Sequence, residues 1–325
     1  MRETIVAAIL ACGLAIAADA GAQDWPARPV NLVVPYAAGG PVDTIARIMA
    51  ARLSELLGQQ VIVENIGGAG GMTGAARVAK APADGYTMLL SGSAVLAIIP
   101  TLYKKPLYDA ATDFAHAALF SDSARVLITR KDFPATNLSE FIAYAKANQT
   151  NMQYGSAGAG SGMHVCALLL DGAMGTKITH VPYRGSAPAM QDLIAGRIDF
   201  LAEQISTALP QIQGNAVKAL VTFGLERAPG LENLPTALEQ GLSGLDCGAW
   251  GALSFPRGTP EAIVRRLAKV SNDAVETPAV RERFKSIGVS IPAAERRTPE
   301  YLAKFVASEI ERWAGPIKAS GVSAD

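Results

Sequence analysis

Short β-branched and apolar runs alternate along the chain with stretches in which apolar positions return about every 3.6 residues. Val30-Asn31-Leu32-Val33-Val34 reads as a strand halted by Pro35, after which Ala38-Gly39-Gly40 turns into a helix from about Pro41. Ile45, Ile48, Met49, Leu53 and Leu56 set that helix's apolar face, and Gly58 closes it. Val61-Ile62-Val63 is a second strand, followed by Gly67-Gly68-Ala69-Gly70-Gly71 and a short helix near Gly74–Lys80. Tyr86–Leu90 is a third strand, ending in Ser91-Gly92-Ser93. After Phe120 the pattern restarts, with strands over Val126–Thr129, Met152–Tyr154, Ile178–Val181, Ile198–Ala202 and Val217–Thr222. Between them lie a helix over Leu138–Asn148, introduced by Asn137, a nearly all-apolar and therefore buried helix ending at Met174, and a helix over Ala187–Ala195. Beyond Gly248, a strand over Trp250–Phe255 precedes helices over Pro260–Val275 and Pro299–Ala314. This alternation predicts an α/β fold with largely parallel strands. No repeat at a solenoid period and no low-complexity linker interrupts it.

Glycine clusters occur in both halves of the chain, each at a strand's carboxyl end before a helix. Open α/β sheets bind ligands at that position. The first turn of a helix has unpaired N–H groups and partial positive charge, and glycine lets the backbone approach an anion closely. Each cluster alone is equally a tight turn. Clusters in both halves favour a cleft for something small and negatively charged.

Composition narrows this further. At 325 residues the chain has room for two domains or one large one. Its 29 Lys+Arg balance 29 Asp+Glu, which removes the basic footprint of a nucleic-acid binder. Three cysteines without a C-x-x-C exclude a disulfide scaffold and a zinc ribbon. Residues 1–22 differ from the rest: Arg2, then the uncharged run Ile5–Ala17, then Ala20-Gly21-Ala22, an A-x-A site. This is the pattern of a signal peptide cleaved after Ala22, and the run is shorter than the roughly 20 residues of a spanning helix. A lipoprotein box at Cys12, whose apolar lead is short, and an uncleaved anchor are the competing readings. The most apolar later stretch, Met88–Pro100, is broken by Ser91-Gly92-Ser93 and ends at proline, so the mature chain is expected to be soluble and periplasmic. Whether Cys166 and Cys247 pair there is open from sequence.

Motifs for chemistry are missing where the glycines invite them. Gly68 and Gly70 are followed by Thr73, and Gly158 and Gly160 by Met163, so neither cluster is G-x-G-x-x-G. There is no Gly-Lys dipeptide for a phosphate loop and no serine flanked as in a nucleophile elbow. His116, His164 and His180 lack the i, i+4 spacing of a helical zinc site. The expectation is a binding protein with no cofactor, no metal and no catalytic residues. An exported hydrolase with a triad assembled only in space is the enzymatic alternative.

The motifs resemble those of the extracytoplasmic solute receptors of tripartite tricarboxylate transporters, the Bug receptors, over essentially the whole mature chain. The resemblance rests first on Pro35-Tyr36-Ala37-Ala38-Gly39-Gly40-Pro41-Val42-Asp43-Thr44-Ile45-Ala46-Arg47. Glu64-Asn65, Gly68-Ala69-Gly70-Gly71, Gly74 and Ala83-Asp84-Gly85-Tyr86-Thr87 follow in order. In the second half come Tyr154-Gly155-Ser156, Gly158, Gly160-Ser161, His164 and His180-Val181-Pro182-Tyr183-Arg184-Gly185 with Pro188-Ala189. Trp250 and Pro256-Arg257-Gly258-Thr259-Pro260 complete the series. The family implies a two-lobed periplasmic-binding-protein fold that closes on small carboxylates: amino acids, di- and tricarboxylates or aromatic acids. It implies binding by main-chain amides and waters from the loops Tyr36–Gly40 and Ser156–Ser161, then delivery to a two-subunit membrane permease. Lobe 1 would comprise residues 23–125 and 249–325, lobe 2 residues 126–248, in a monomer. A sensor subunit docking on a signalling partner fits the same resemblance. Two positions depart from the family pattern: Leu168 replaces a glutamate, and Ile66-Gly67 replaces Arg-Pro.

The candidate ligand contacts are Tyr36, Ala38, Gly39, Gly40, Asp43, Ser91, Ser93, Ser156, Ala157, Gly158, Gly160, Ser161, His164, Tyr183, Arg184 and Glu203. Asp43 sits near the third helical position, where capping is favoured over contact with an anion it would repel. Ser156 and Ser161 have hydroxyls to donate, or turns to make. His164 fits a neutral core histidine as well as a contact, and Tyr36 and Tyr183 fit cleft or core. Arg184 offers a two-bond partner for a distal carboxylate, or is simply solvated. Glu203 receives a ligand ammonium if it faces the cleft; otherwise it caps or pairs locally.

Overall fold

A computed structural model describes residues 25–319, so the signal peptide expected over residues 1–22 lies outside the described residues. The chain opens with β1 (Val30–Val34), α1 (Pro41–Leu57), β2 (Val61–Asn65), α2 (Met72–Ala79) and β3 (Thr87–Gly92). A π-helical turn, Ala94–Ile98, runs into α3 (Ile99–Leu102) and leads to β4 (Phe114–Ser123). The second half runs β5 (Arg125–Arg130), α4 (Leu138–Asn148), β6 (Gln153–Ser156), α5 (Gly162–Met174) and β7 (Thr179–Pro182). It continues with α6 (Ser186–Ile194), β8 (Phe200–Gln204), α7 (Ile205–Gln213) and β9 (Val217–Phe223). The chain then returns through β10 (Ala249–Pro256) to α8 (Glu261–Glu276), α9 (Pro278–Ser286), β11 (Val289–Ser290) and α10 (Pro299–Ala319).

Local chemistry accounts for the helices that matter. At α1, Gly40 is extended, Pro41 supplies a preset φ at the first position, and Gly58 ends the helix left-handed at φ 68°. Its face of Ile45, Met49, Leu53 and Leu57 is buried against Val30, Leu32, Met88 and Phe255. Each such side chain contributes roughly 1.5–3 kcal/mol by leaving water. Asn137 caps α4 by accepting from Glu140 N, and Ser161 caps α5 by accepting from His164 N.

Two sheets result, one with order β11-β4-β10-β3-β1-β2 and one with order β7-β6-β8-β5-β9. The expectation of largely parallel strands needs correction. Only β1, β2 and β3, and β6 with β7 and β8, pair in parallel. β10 runs antiparallel to β3 and β4, and β5 antiparallel to β8 and β9. β-α-β units enforce parallel pairing, whereas strands carrying the chain out of and back into a sheet have no such crossover. A single residue, Ala124, separates β4 in the first sheet from β5 in the second. The return strand begins beside it, since Ala249 pairs with Ser123. The segments that carry the chain out of the first sheet and back into it therefore lie side by side. Among the described residues no helix is long and apolar enough to cross a membrane.

Candidate functional site

Between the two sheets lies a cavity of about 700 Å³, its open mouth included. Four helix beginnings meet its wall: Gly40 and Pro41 of α1, Ser161 and Gly162 of α5, Ser186 of α6, and Gln204, the residue before α7. Each brings unpaired backbone N–H groups and partial positive charge to the same space. The crossing strands add Ser121, Ser123, Arg125, Ala249, Trp250 and Gly251, and β3 adds Leu90, Ser91 and Gly92, followed by Ser93. Val42, Ile45, Leu90, Met163 and Trp250 make part of the wall apolar. The Trp250 indole N–H donates to Glu309 Oε2 at 2.9 Å, and Arg312 Nη2 donates to the same oxygen at 2.9 Å. Burial would raise the Glu309 pKa, but these donors outweigh it and hold the carboxyl below its ordinary value.

Several buried polar atoms of this wall have no protein partner: Ser91 Oγ, Ser121 Oγ and Arg125 Nη1. Buried polar groups are nearly always paired, so such atoms mark places where something else supplies the partner. Arg125 is 3% exposed and, among the described residues, is the one charged side chain in the wall. A Cβ on Gly162 would stand 2.0 Å from its Nη2, so the guanidinium lies against the first residue of α5.

Of the candidates read from sequence, Tyr36, Gly40, Ser91, Ser93, Ala157 and Ser161 lie in the wall. The rest stand behind or beside it. Asp43 is buried and fully used: Oδ2 accepts from Gly39 N and Arg47 Nε, each at 2.9 Å, and Oδ1 accepts from Asn65 Nδ2 at 2.9 Å. Ala38 and Gly39 are exposed. Ser156 Oγ is taken by Gly158, donating to its carbonyl and accepting from its N–H at 3.1 Å, and by His180 Nε2 at 2.7 Å. Gly160 N donates to His164 Nδ1 at 3.2 Å, and His164 stacks on His180 with centroids 4.1 Å apart. Burial pushes His164 down to about 3, with His180 adding to the effect, and burial alone pushes His180 down to about 4. Both imidazoles are thus neutral, and they shape the loop from beneath.

Tyr183 donates its hydroxyl to Asp192 at 2.7 Å, and burial followed by that bond raises it to about 12. Arg184 is exposed and outside the wall. Glu203 is buried but faces the start of α7, where Oε1 accepts from Gln204 N and Thr207 Oγ1, each at 2.9 Å. Burial raises its pKa, with the Arg125 charge among the opposing influences.

The Gly67–Gly71 loop holds a different position from the one expected of it. It lies outside the cavity wall and packs on the opposite lobe's backbone. A Cβ at Gly67 would stand 3.3 Å from Arg184 O, and one at Gly70 2.4 Å from Ala159 O. Tyr103 Oη donates to the same Ala159 carbonyl at 3.2 Å. The Ile66-Gly67 departure therefore falls at a contact between lobes, and Leu168 is half-buried on α5. Cys166 and Cys247 are free and buried; burial, followed by a hydrogen bond with Cys247, holds the Cys166 thiol well above its ordinary range.

Sequence reading missed Arg125, Ser121, Ser123, Ser186 and Gln204 as wall residues. Only Arg125 left a signal, a charge at the mouth of the apolar run Val126–Thr129.

Two mixed α/β lobes around one polarised cleft define a solute-binding protein. The chain belongs to the tripartite tricarboxylate transporter receptor family, whose model matches residues 45–322. It is accordingly a periplasmic solute-binding receptor by family, and the family is not one of enzymes. A relative from Agrobacterium vitis, the UPF0065 protein in the TAR-I ttuE-ttuC' intergenic region, is 42% identical over 93% of this chain and 87% of its own length. The solved structure of MatC (Rpa3494) from Rhodopseudomonas palustris with bound malate is 39% identical, with a TM-score of 0.88 over 90% of this chain and all 100% of that one. The periplasmic binding protein BugD is 38% identical, with a TM-score of 0.89 over 92% of this chain and 99% of its own.

Proposed function

We propose that this receptor captures a small carboxylate in the inter-lobe cleft and delivers it to a two-subunit membrane permease of the tripartite tricarboxylate type. The observation that carries the reading is the meeting of four helix beginnings on one cavity whose buried Ser91, Ser121 and Arg125 atoms lack protein partners. Donors fixed before the ligand arrives favour a carboxylate without a net positive surface. The malate bound to MatC supports the same class of ligand. Lobe 1 then comprises residues 23–125 with 249–325 and lobe 2 residues 126–248, hinged at Ser123–Arg125 and at Ala249. The protein acts as a monomer, exported by a signal peptide cleaved after Ala22. In the wall, Tyr36, Gly40, Ser91, Ser93, Ala157 and Ser161 contact the ligand, while Asp43, Ser156 and His164 hold the loops.

The test is a thermal-shift screen of the mature protein against mono-, di- and tricarboxylates, amino acids and neutral sugars. A ligand at about 100 times its Kd adds roughly 2.7 kcal/mol to the folded state. Stabilisation by neutral solutes and by no carboxylate overturns the reading. Retention of the two permease subunits on the immobilised, ligand-loaded receptor tests the delivery step.

A further inference from the structure

We propose that Arg125 binds the ligand directly, its guanidinium and the first turn of α5 together seating one carboxylate, and that this seat selects carboxylates over amino acids. The inference rests on the carboxylate-receptor reading above and names the residue that sets its selectivity.

Three observations converge on this one side chain. Arg125 is 3% exposed, it lines the cavity, and its Nη1 has no hydrogen-bond partner. An arginine is always charged, and leaving it buried and unsatisfied is costly. Gly162 leaves the space the guanidinium fills, since a Cβ there would stand 2.0 Å from Nη2. The guanidinium is therefore held at the start of α5, where Ser161 Oγ already caps His164 N. Backbone amides and guanidinium donors both favour a negative oxygen at the same place, and the planar fork matches a carboxylate.

The nearest internal candidate for a counter-ion does not close the site. Glu203 is close enough for the Arg125 charge to favour its ionised form, yet its Oε1 is engaged by Gln204 N and Thr207 Oγ1. Its other oxygen, Oε2, has no hydrogen-bond partner, and Glu203 is outside the cavity wall. No carboxylate among the described residues lines the cavity. A ligand ammonium entering this cleft meets a like charge and finds no anionic partner, so a carboxylate bearing one loses on both counts.

Calorimetric titration of the mature protein with malate, succinate and aspartate tests this, using wild type, Arg125→Lys and Arg125→Gln, each checked for folding by circular dichroism. Wild type is expected to bind malate or succinate at least about tenfold tighter than aspartate, one lost charged partner being worth that much or more. Arg125→Gln should lose at least about tenfold in affinity for the preferred acid, and Arg125→Lys should recover part of it. Wild-type affinity and selectivity in folded Arg125→Gln overturn the proposal, as does a wild type that prefers aspartate. Should Arg125→Gln not fold, the guanidinium ¹⁵N resonance missing from Arg125→Lys is followed in wild type. It must shift when malate is added, and a stationary signal overturns the proposal. A wild type that binds neutral solutes and none of the three acids overturns the receptor reading itself, and this proposal with it.

Discussion

Gly70 faces the Ala159 carbonyl oxygen so closely that a Cβ on it would stand 2.4 Å away. The lobes thus meet backbone to backbone, and Gly70 is left-handed at φ 63°. Gly70→Ala is expected to cost about 1–2 kcal/mol from its backbone conformation alone. It also holds the lobes apart, so affinity for malate or another bound carboxylate should fall by more than stability explains. Small-angle scattering of wild type and variant with saturating ligand checks this: unchanged compaction in the variant refutes it.

Asp43 ties three segments of the first lobe together, the Gly39 loop, Arg47 on its own helix and Asn65 at the end of β2. Burial would raise its pKa, but hydrogen bonds from Arg47, Gly39 and Asn65 outweigh that and lower it. Asp43→Ala is expected to lose roughly 1–3 kcal/mol, because it leaves the Gly39 N–H and the Arg47 and Asn65 donors without their acceptor. Asp43→Asn, which keeps an acceptor, should lose less. Urea unfolding of both variants decides, and equal stability of all three proteins removes the role.

All three histidines are neutral, His116 and His164 buried and His180 half-buried, with His116 at about 4, His164 at about 3 and His180 at about 4, loss of solvent being the leading cause in each. The unfolded chain binds protons near pH 6.5, earlier than the folded one does, so it holds more protons between about 6.5 and 4. Stability from these groups is therefore complete above pH 6.5 and declines as pH falls through that window. The Tm is expected to drop on acidification from pH 7 to 4.5. Imidazole ¹H resonances that titrate near pH 6.5 in the folded protein contradict this.

Trp250 joins the cavity wall to α10 through its bond to Glu309. Its emission should respond to ligand, and Trp250→Phe should abolish that response. The same change leaves the buried Glu309 without one donor, at an expected cost of about 1–3 kcal/mol. Fluorescence titration and thermal unfolding of the variant measure the two effects, and an intact ligand response locates it at Trp25 or Trp313.

Much of the fold was legible because it is written in local periodicity. The strand Val30–Val34, the helix from Pro41 to its Gly58 cap and the Asn137-capped helix all formed where predicted. Elements without a strong pattern went unseen. β4 is rich in alanine and serine around His116, and α7 carries Pro210 in its interior. The cleft was legible in two glycine-marked helix starts and in Ser91 and Ser93 around the end of β3. Ser121 and Arg125 come from strands whose partners are remote in sequence, and Gly251 makes room for Ser121, whose Oγ would be 2.3 Å from a Cβ there.

By itself the sequence determined that strands lead through glycine turns into helices in both halves, because helix caps and apolar spacing act over a few residues. Its motifs likewise determined the family. Tertiary structure decided what each polar group faces. It turned Asp43, Ser156 and Glu203 toward neighbouring backbone, left Arg184 exposed and brought Arg125 into the cleft. That outcome depends on how two sheets are set against each other across Ala124, a relation between residues far apart in the chain that no local pattern encodes.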